Sequence, residues 1–184
     1  MKLLANKDIS LRALEPNDID VLYNWENNIE NWQVSNVQTP FSRYTLQQYI
    51  ETAHQDIYSV KQLRLIIELS LSADDKKITI GCIDLFDFDP KHLRAGIGIL
   101  IAEKTERRKG YASDALALLI NYAFEILNLH QLYCNITAEN EASILLFQKY
   151  DFQISGIKKQ WIRDKNIFKD ELFLQLVNNR ELNK

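Results

Sequence analysis

Arg107-Arg108-Lys109-Gly110-Tyr111-Ala112 lies between an apolar run at residues 95–102 and a long amphipathic segment, and its reading decides the fold. A strand that runs into a basic, glycine-containing turn and then a helix leaves backbone N–H groups unpaired at the positive end of the helix dipole. Such a turn suits an anion, phosphate oxygens above all. Lys104, Arg107, Arg108 and Lys109 put four cations into six residues at this helix start. Cations there cost a few tenths to about 1 kcal/mol unless an anion offsets them. The amides of residues 108–113 are the expected grip.

Outward from this turn the pattern stays regular. Ala112, Ala115, Leu116, Leu119, Ala123 and Phe124 recur at helical spacing, which predicts a helix over 110–127. Residues 131–138 read as a strand, so strand, helix and strand form a parallel crossover around the turn. Upstream, residues 63–71 and 78–86 are β-rich runs about the polar turn Ser72-Ala73-Asp74-Asp75-Lys76-Lys77, an antiparallel hairpin. Residues 94–102 make a third consecutive strand beyond Asp89-Pro90.

Near the start, residues 8–13 alternate as a strand, and Pro16 with Asn17, Asp18 and Asp20 opens a helix through Val21, Leu22 and Trp25. Thr45 and Gln48 have the spacing of a capping box for a second helix carrying Tyr49, Ile50 and Ala53 on one face. Residues 141–150 form a shorter helix. Residues 152–161 and 168–177 form a last hairpin turning at Lys165-Asn166. The fold class is α+β with mixed α/β layers: a central, mostly antiparallel mixed sheet with one parallel crossover, flanked by helices.

Composition sets the frame for function. The 184 residues contain no Pro/Gly-rich linker and no repeat, which predicts a single domain over 1–184. A net charge of -3 gives no support to a nucleic-acid partner. No run has the length of a signal peptide's apolar core or of a membrane span, so a cytoplasmic protein without a membrane partner is expected. Cys82 and Cys134 lie in apolar stretches without metal-ligand spacing and read as buried free thiols. His54, His92 and His130 are scattered, so neither a nucleophilic triad nor a metal site is expected.

The order Arg-x-x-Gly-x-Ala resembles the acyl-CoA pyrophosphate loop of the GNAT superfamily of N-acetyltransferases, usually written Arg/Gln-x-x-Gly-x-Gly/Ala. Asn140-Glu141-Ala142-Ser143 followed by Leu145-Leu146-Phe147-Gln148-Lys149-Tyr150-Asp151-Phe152 is similar to that family's Asn-x-x-Ser…Leu-Tyr-x-Lys-Leu-Gly-Phe segment. Gly81 and Phe152-x-x-x-Gly156 also fit, and the nearest subgroups are the ribosomal-protein and the spermidine/spermine acetyltransferases.

The resemblance implies the GNAT-like acyl-CoA N-acyltransferase fold. It also implies acetyl transfer from acetyl-CoA to a primary amine by direct attack in a ternary complex. The acceptor would be a polyamine such as spermidine, another small amine or a protein N-terminus, and relatives commonly form homo-oligomers. Arg107, Arg108, Lys109, Gly110, Tyr111, Ala112, Ser113, Asn140, Ser143 and Phe147 would line the CoA site. The backbone N–H groups of Ile99, Leu100 and Ile101 would polarise the thioester carbonyl. Asn140 is equally suited to cap the helix that begins at Glu141.

Two departures bear on mechanism. An aliphatic amine is neutral in only on the order of one molecule in a thousand at pH 7, so attack needs a proton acceptor. The family often has Ala-Glu-Leu-Gly where this chain reads Ala95-Gly96-Ile97-Gly98. Asp84, alternating with Cys82 and Phe86 and so on their face, is the substitute: a catalytic carboxylate acting through water, an attractor of a cationic substrate, or simply solvent-facing. Asp87 and Glu26 complete the acidic candidates for amine binding. Phe147 stands where the family has the Tyr that protonates the thiolate, and Tyr150, one helical turn on, is the substitute catalytic acid. The other reading is a non-catalytic acyl-CoA-binding regulatory module that has lost its Glu and Tyr.

Overall fold

A computed structural model of the chain describes residues 3–35, 37–53, 55–70 and 77–179. His54 and most of the expected turn at 72–77 lie outside the described residues. The elements run β1 (Ile9–Ala13), a 3-10 turn (Pro16–Asp18), α1 (Ile19–Glu26), α2 (Ile29–Ser35), α3 (Arg43–Thr52), α4 (Ile57–Val60), β2 (Leu63–Ser70) and β3 (Lys77–Asp89). They continue as β4 (Arg94–Ile101), a second 3-10 turn (Lys104–Glu106), α5 (Tyr111–Glu125), β5 (Gln131–Thr137), α6 (Glu141–Gln148), β6 (Gln153–Asp164) and β7 (Ile167–Val177). The strands form one sheet in the order β1-β2-β3-β4-β5-β7-β6. β4 and β5 are parallel, joined by α5, as the crossover reading requires.

Alternation along the strands divides the core. On one face Leu65, Ile67, Ile83, Leu85, Ile97, Leu132 and Leu174 pack against Ala115, Leu116, Leu119 and Ala123 of α5 and Phe147 of α6. On the other, Ile66 and Cys82 pack against Leu22 and Trp25 of α1 and Leu46 and Ile50 of α3. Each such side chain, fully buried, contributes about 1.5–3 kcal/mol of transfer free energy. Among the described residues the second face's cluster joins α1 and α3 to β2, β3 and β4 only, which leaves the β5–β7–β6 end of that face open.

Charge ties the first edge. Arg12 of β1 donates twice to Asp18, at 2.7 and 2.9 Å, and to Glu68 of β2 at 2.6 Å. Burial would raise the Asp18 carboxyl, but the Arg12 guanidinium and the Glu15 N–H outweigh it and hold the group below its ordinary range.

The structure changes several local expectations. The cap of α3 is Ser42, whose Oγ accepts from Thr45 N–H at 3.0 Å, so the helix starts two residues before the expected cap. The short helices α2 and α4 are too brief to show a period. The expected terminal hairpin forms, with its later strand β7 inward against β5. Among the described residues no helix is long and apolar enough to cross a membrane.

Candidate active site

β4 and β5 pair over only three positions, Arg94↔Gln131, Ala95↔Leu132 and Gly96↔Tyr133, and then part. β3 continues to pair β4 on its far side and β7 continues to pair β5. The result is a wedge between two parallel strands, with one edge of each unpaired. Ala102 N–H donates to Ile80 O at 2.9 Å on the β3 side. By alternation the Leu100 amide also faces β3, opposite Cys82, while Ile99 and Ile101 face the wedge. Ile101 O, accepting from Arg107 Nε at 2.8 Å, has that orientation. The expectation for Leu100 is thus corrected: its amide serves the sheet and its side chain packs against the α1–α3 cluster.

The basic turn closes the mouth of the wedge. Arg108 (φ 63°) and Gly110 (φ 94°) are both left-handed, and a Cβ at Gly110 would meet nothing within 4 Å. Gly110 is the N-cap of α5 and brings no side chain to its first-turn amides, so Tyr111, Ala112 and Ser113 begin the helix without a side-chain cap. Three of the four cations are engaged. Lys104 pairs with Glu30 at 2.6 Å, Lys109 with Glu106 at 3.0 Å, and Arg107 holds Ile101 O. Among the described residues Arg108 alone of the four has no polar partner. A left-handed turn, uncapped amides and a free guanidinium fit a diphosphate.

α6 flanks the same wedge. Asn140 Oδ1 accepts from Ser143 N–H at 3.2 Å, so the two residues singled out by motif meet as a helix cap. Phe147 is 3% exposed and stands edge-on to Phe152 with centroids 5.0 Å apart. It is core, which corrects its expected contact with CoA. The Tyr150 hydroxyl donates to Ser113 O at 2.7 Å and lies 2.8 Å from Ser113 Oγ, which also accepts from Lys149 Nζ at 2.7 Å. That hydroxyl braces the first turn of α5 rather than standing free to meet a thiolate.

The acidic candidates divide into two groups. Arg64 and Asp84 are direct cross-strand partners and bond in a fork, Nε to Oδ1 and Nη2 to Oδ2, both 2.9 Å. The same guanidinium donates to Glu26 of α1 and lies over the Tyr49 ring. Burial works against the charge of Arg64, yet the Asp84 carboxylate beside it keeps the guanidinium firmly ionised. Burial also pushes the Tyr49 phenol and the Cys82 thiol up to about 12, so both stay neutral here. Glu26 and Asp84 do come together, as an amine site would need, but around the chain's own cation. This corrects their expected freedom to hold a substrate amine.

Asp87 is different. A bulge interrupts β3 between Phe86 and Asp89, and Asp87 sits in it at φ 48°. The Phe86 ring lies over Gly96, where a Cβ would come within 2.3 Å of it. The position of the family's Glu is therefore filled by an aromatic ring from the neighbouring strand. Sequence reasoning missed four residues on this open face: Phe86, Tyr133, Lys158 and Glu171. Lys158 Nζ bridges Asn135 Oδ1 at 2.8 Å and Glu171 Oε2 at 2.7 Å. Only the registers across the sheet, β3–β4–β5 for Phe86 and Tyr133 and β5–β7–β6 for Lys158 and Glu171, could have shown them together.

Residues 8–153 match the model of the acetyltransferase (GNAT) domain. The chain is 28% identical over 151 residues to spermidine N(1)-acetyltransferase of Vibrio cholerae, covering 82% of each protein. It is 27% identical to an uncharacterised N-acetyltransferase of Bacillus licheniformis, over 96% of this chain and 97% of that one. The crystal structure of the Vibrio cholerae spermidine N-acetyltransferase with CoA and spermine superposes with a TM-score of 0.84, covering 97% of this chain and 100% of that one at 24% identity. A dodecameric structure of that enzyme gives 0.77 at 26% identity, over 97% and 98% of the two chains.

The chain belongs to the GNAT acetyltransferases, whose domain model covers both the parted strands and the basic turn. It is an acetyl-CoA-dependent N-acetyltransferase, and an amine receives the acetyl group.

Proposed function

We propose that the amine attacks acetyl-CoA directly, in a ternary complex, and that the acceptor is a small amine such as spermidine. The observation that carries this reading is the wedge, which has an anion-binding turn at its mouth and an open, partly acidic sheet face at its vertex. A donor threaded between β4 and β5 from the turn meets an acceptor arriving across that face, so no enzyme-bound acyl group is needed. The residues that hold the donor are the amides of Arg108, Lys109, Gly110, Tyr111, Ala112 and Ser113, the Arg108 guanidinium, and the wedge-facing amides of Ile99 and Ile101. Those amides polarise the carbonyl without reorganising. Arg107 and Tyr150 hold the turn in shape.

Asp87 attracts the acceptor's positive charge, while Glu26 and Asp84, already neutralised by Arg64, add little. Polyamine acceptance draws its support from the Vibrio cholerae relative, whose structure contains spermine. The dodecamer formed by that relative supports assembly of this chain too. One domain spans residues 1–184 in this reading.

The test is release of CoA thiol from acetyl-CoA over a panel of spermidine, spermine, aminoglycosides and peptides with free N-termini. Turnover is expected with small polyamines. The rate should rise with pH toward the amine's own pKa, because only the neutral amine attacks. Tight CoA binding without turnover on any amine would overturn the proposal in favour of a regulatory module.

A further inference from the structure

Gly96 and Tyr133 are the last paired residues before β4 and β5 part, so Tyr133 hangs at the vertex of the wedge. Its neighbours Leu132 and Cys134 are buried in the core under α5, which turns Tyr133 to the open face. There its ring meets Phe86 edge-on at 6.0 Å and Phe173 at 5.4 Å, and Phe86 is the ring that covers Gly96. Its hydroxyl donates to Asp87 Oδ2 at 3.3 Å.

Asp87 is aimed by its backbone. A bulge turns it out of the β3–β4 ladder, in a left-handed conformation that a non-glycine residue adopts at a cost. Bulges of this kind re-aim a side chain, and this one delivers a carboxylate to the vertex. The remaining charged groups around the pair are Arg94 of β4 and Asp89 of β3, which pair with each other at 3.2 Å. Burial and the facing Asp87 carboxylate push the Tyr133 phenol up to about 12, so it keeps its proton and remains a donor.

We propose that Asp87 is the proton acceptor for the incoming amine and that Tyr133 is its positioning residue, the pair replacing the carboxylate lost at Gly96. This rests on the direct-attack reading above. The amine nitrogen bonds to the thioester carbonyl carbon while one of its protons passes to Asp87, directly or through one water. The carbon–sulfur bond breaks with its electron pair on sulfur, and the thiolate takes a proton from solvent. Phe86, Tyr133 and Phe173 form the apolar wall beside which the acceptor lies.

Asp87→Asn, Asp87→Ala and Tyr133→Phe test the assignment, assayed with the best amine of the panel. Asp87→Asn should lower kcat about a hundredfold and Tyr133→Phe about tenfold, with the acetyl-CoA KM within about twofold of wild type. In Tyr133→Phe the loss should fall on kcat and leave the acetyl-CoA KM in place, because the carboxylate has lost the donor that aims it. Added formate should restore part of the rate of Asp87→Ala and none of that of Tyr133→Phe.

Calorimetric titration of the amine into the enzyme–CoA complex should show weaker binding in Asp87→Asn, with CoA affinity unchanged. Wild-type kcat in both variants, no rescue of Asp87→Ala by formate, or equal loss of CoA affinity and turnover, would overturn the assignment while leaving direct attack intact. A wild type inactive on every amine would instead sink the functional reading itself.

Discussion

At the scale of single residues, the site is shaped by what two glycines permit. Gly96 makes room for Phe86, and with that ring in place no side chain fits at position 96. Gly81 permits a closer approach. A Cβ there would lie 2.0 Å from Leu100 O and 3.0 Å from Ile101 Cα, backbone atoms that cannot rotate away. Elsewhere on β3 lies the Glu26–Arg64–Asp84 cluster, where one buried guanidinium compensates two carboxylates. Such a cluster is held by its completeness, since removing the cation would leave two charges desolvated. Gly81→Ala should therefore push β4 toward the wedge, lowering stability by about 1–3 kcal/mol and raising the acetyl-CoA KM. Urea unfolding with an unchanged slope and a lower midpoint would register the first effect, and a wild-type midpoint would refute the clash.

At the scale of elements, the crossover from β4 through the basic turn and α5 to β5 was legible in the sequence. A change of period from two to 3.6 across a Gly-containing turn has few structural solutions. The helix cap at Asn140 and the two antiparallel hairpins were legible for similar reasons. What stayed hidden depended on register. Arg64 meets Asp84 only because β2 and β3 pair with those residues opposite each other, and Glu26 joins from a helix 38 residues earlier. Tyr133 meets Asp87 because a bulge, invisible in the alternation of β3, turns the chain.

Helical spacing alone points to Tyr150, but α6 ends before it, at Gln148. The turn beyond the helix carries its hydroxyl to Ser113. Tyr150→Phe should cost about 1 kcal/mol of stability and raise the acetyl-CoA KM several-fold by loosening the start of α5. The shape of the kcat–pH profile should not change. A selective fall in kcat with a lost basic limb would return Tyr150 to the role of acid.

At the scale of the whole molecule, the narrowest seam is the three-position β4–β5 ladder, with β1–β4 on one side and β5, β7 and β6 on the other. One core nevertheless crosses it: Ile9, Leu65 and Ile97 share a cluster with Leu132, Phe152 and Leu174, under the same α5 that joins the two sides. A shared core of this kind makes the halves unfold together, as a single domain does. Tryptophan fluorescence, reporting from Trp25, Trp32 and Trp161, should give the same urea midpoint as far-UV circular dichroism.

Acid should loosen both halves at once, and the sign follows from the Arg12 cluster. Asp18 and Glu68 are both held below their ordinary range: burial opposes their ionisation, and bonds from Arg12 and its neighbours outweigh it. A carboxylate depressed in the folded state contributes stability that is complete above its unfolded pKa, about 4, and is lost as pH falls through the lower folded value. The midpoint should therefore hold between about pH 7 and 5 and drop below about pH 4, with the two probes still coincident. Separate midpoints for fluorescence and circular dichroism, at either pH, would divide the chain at the seam.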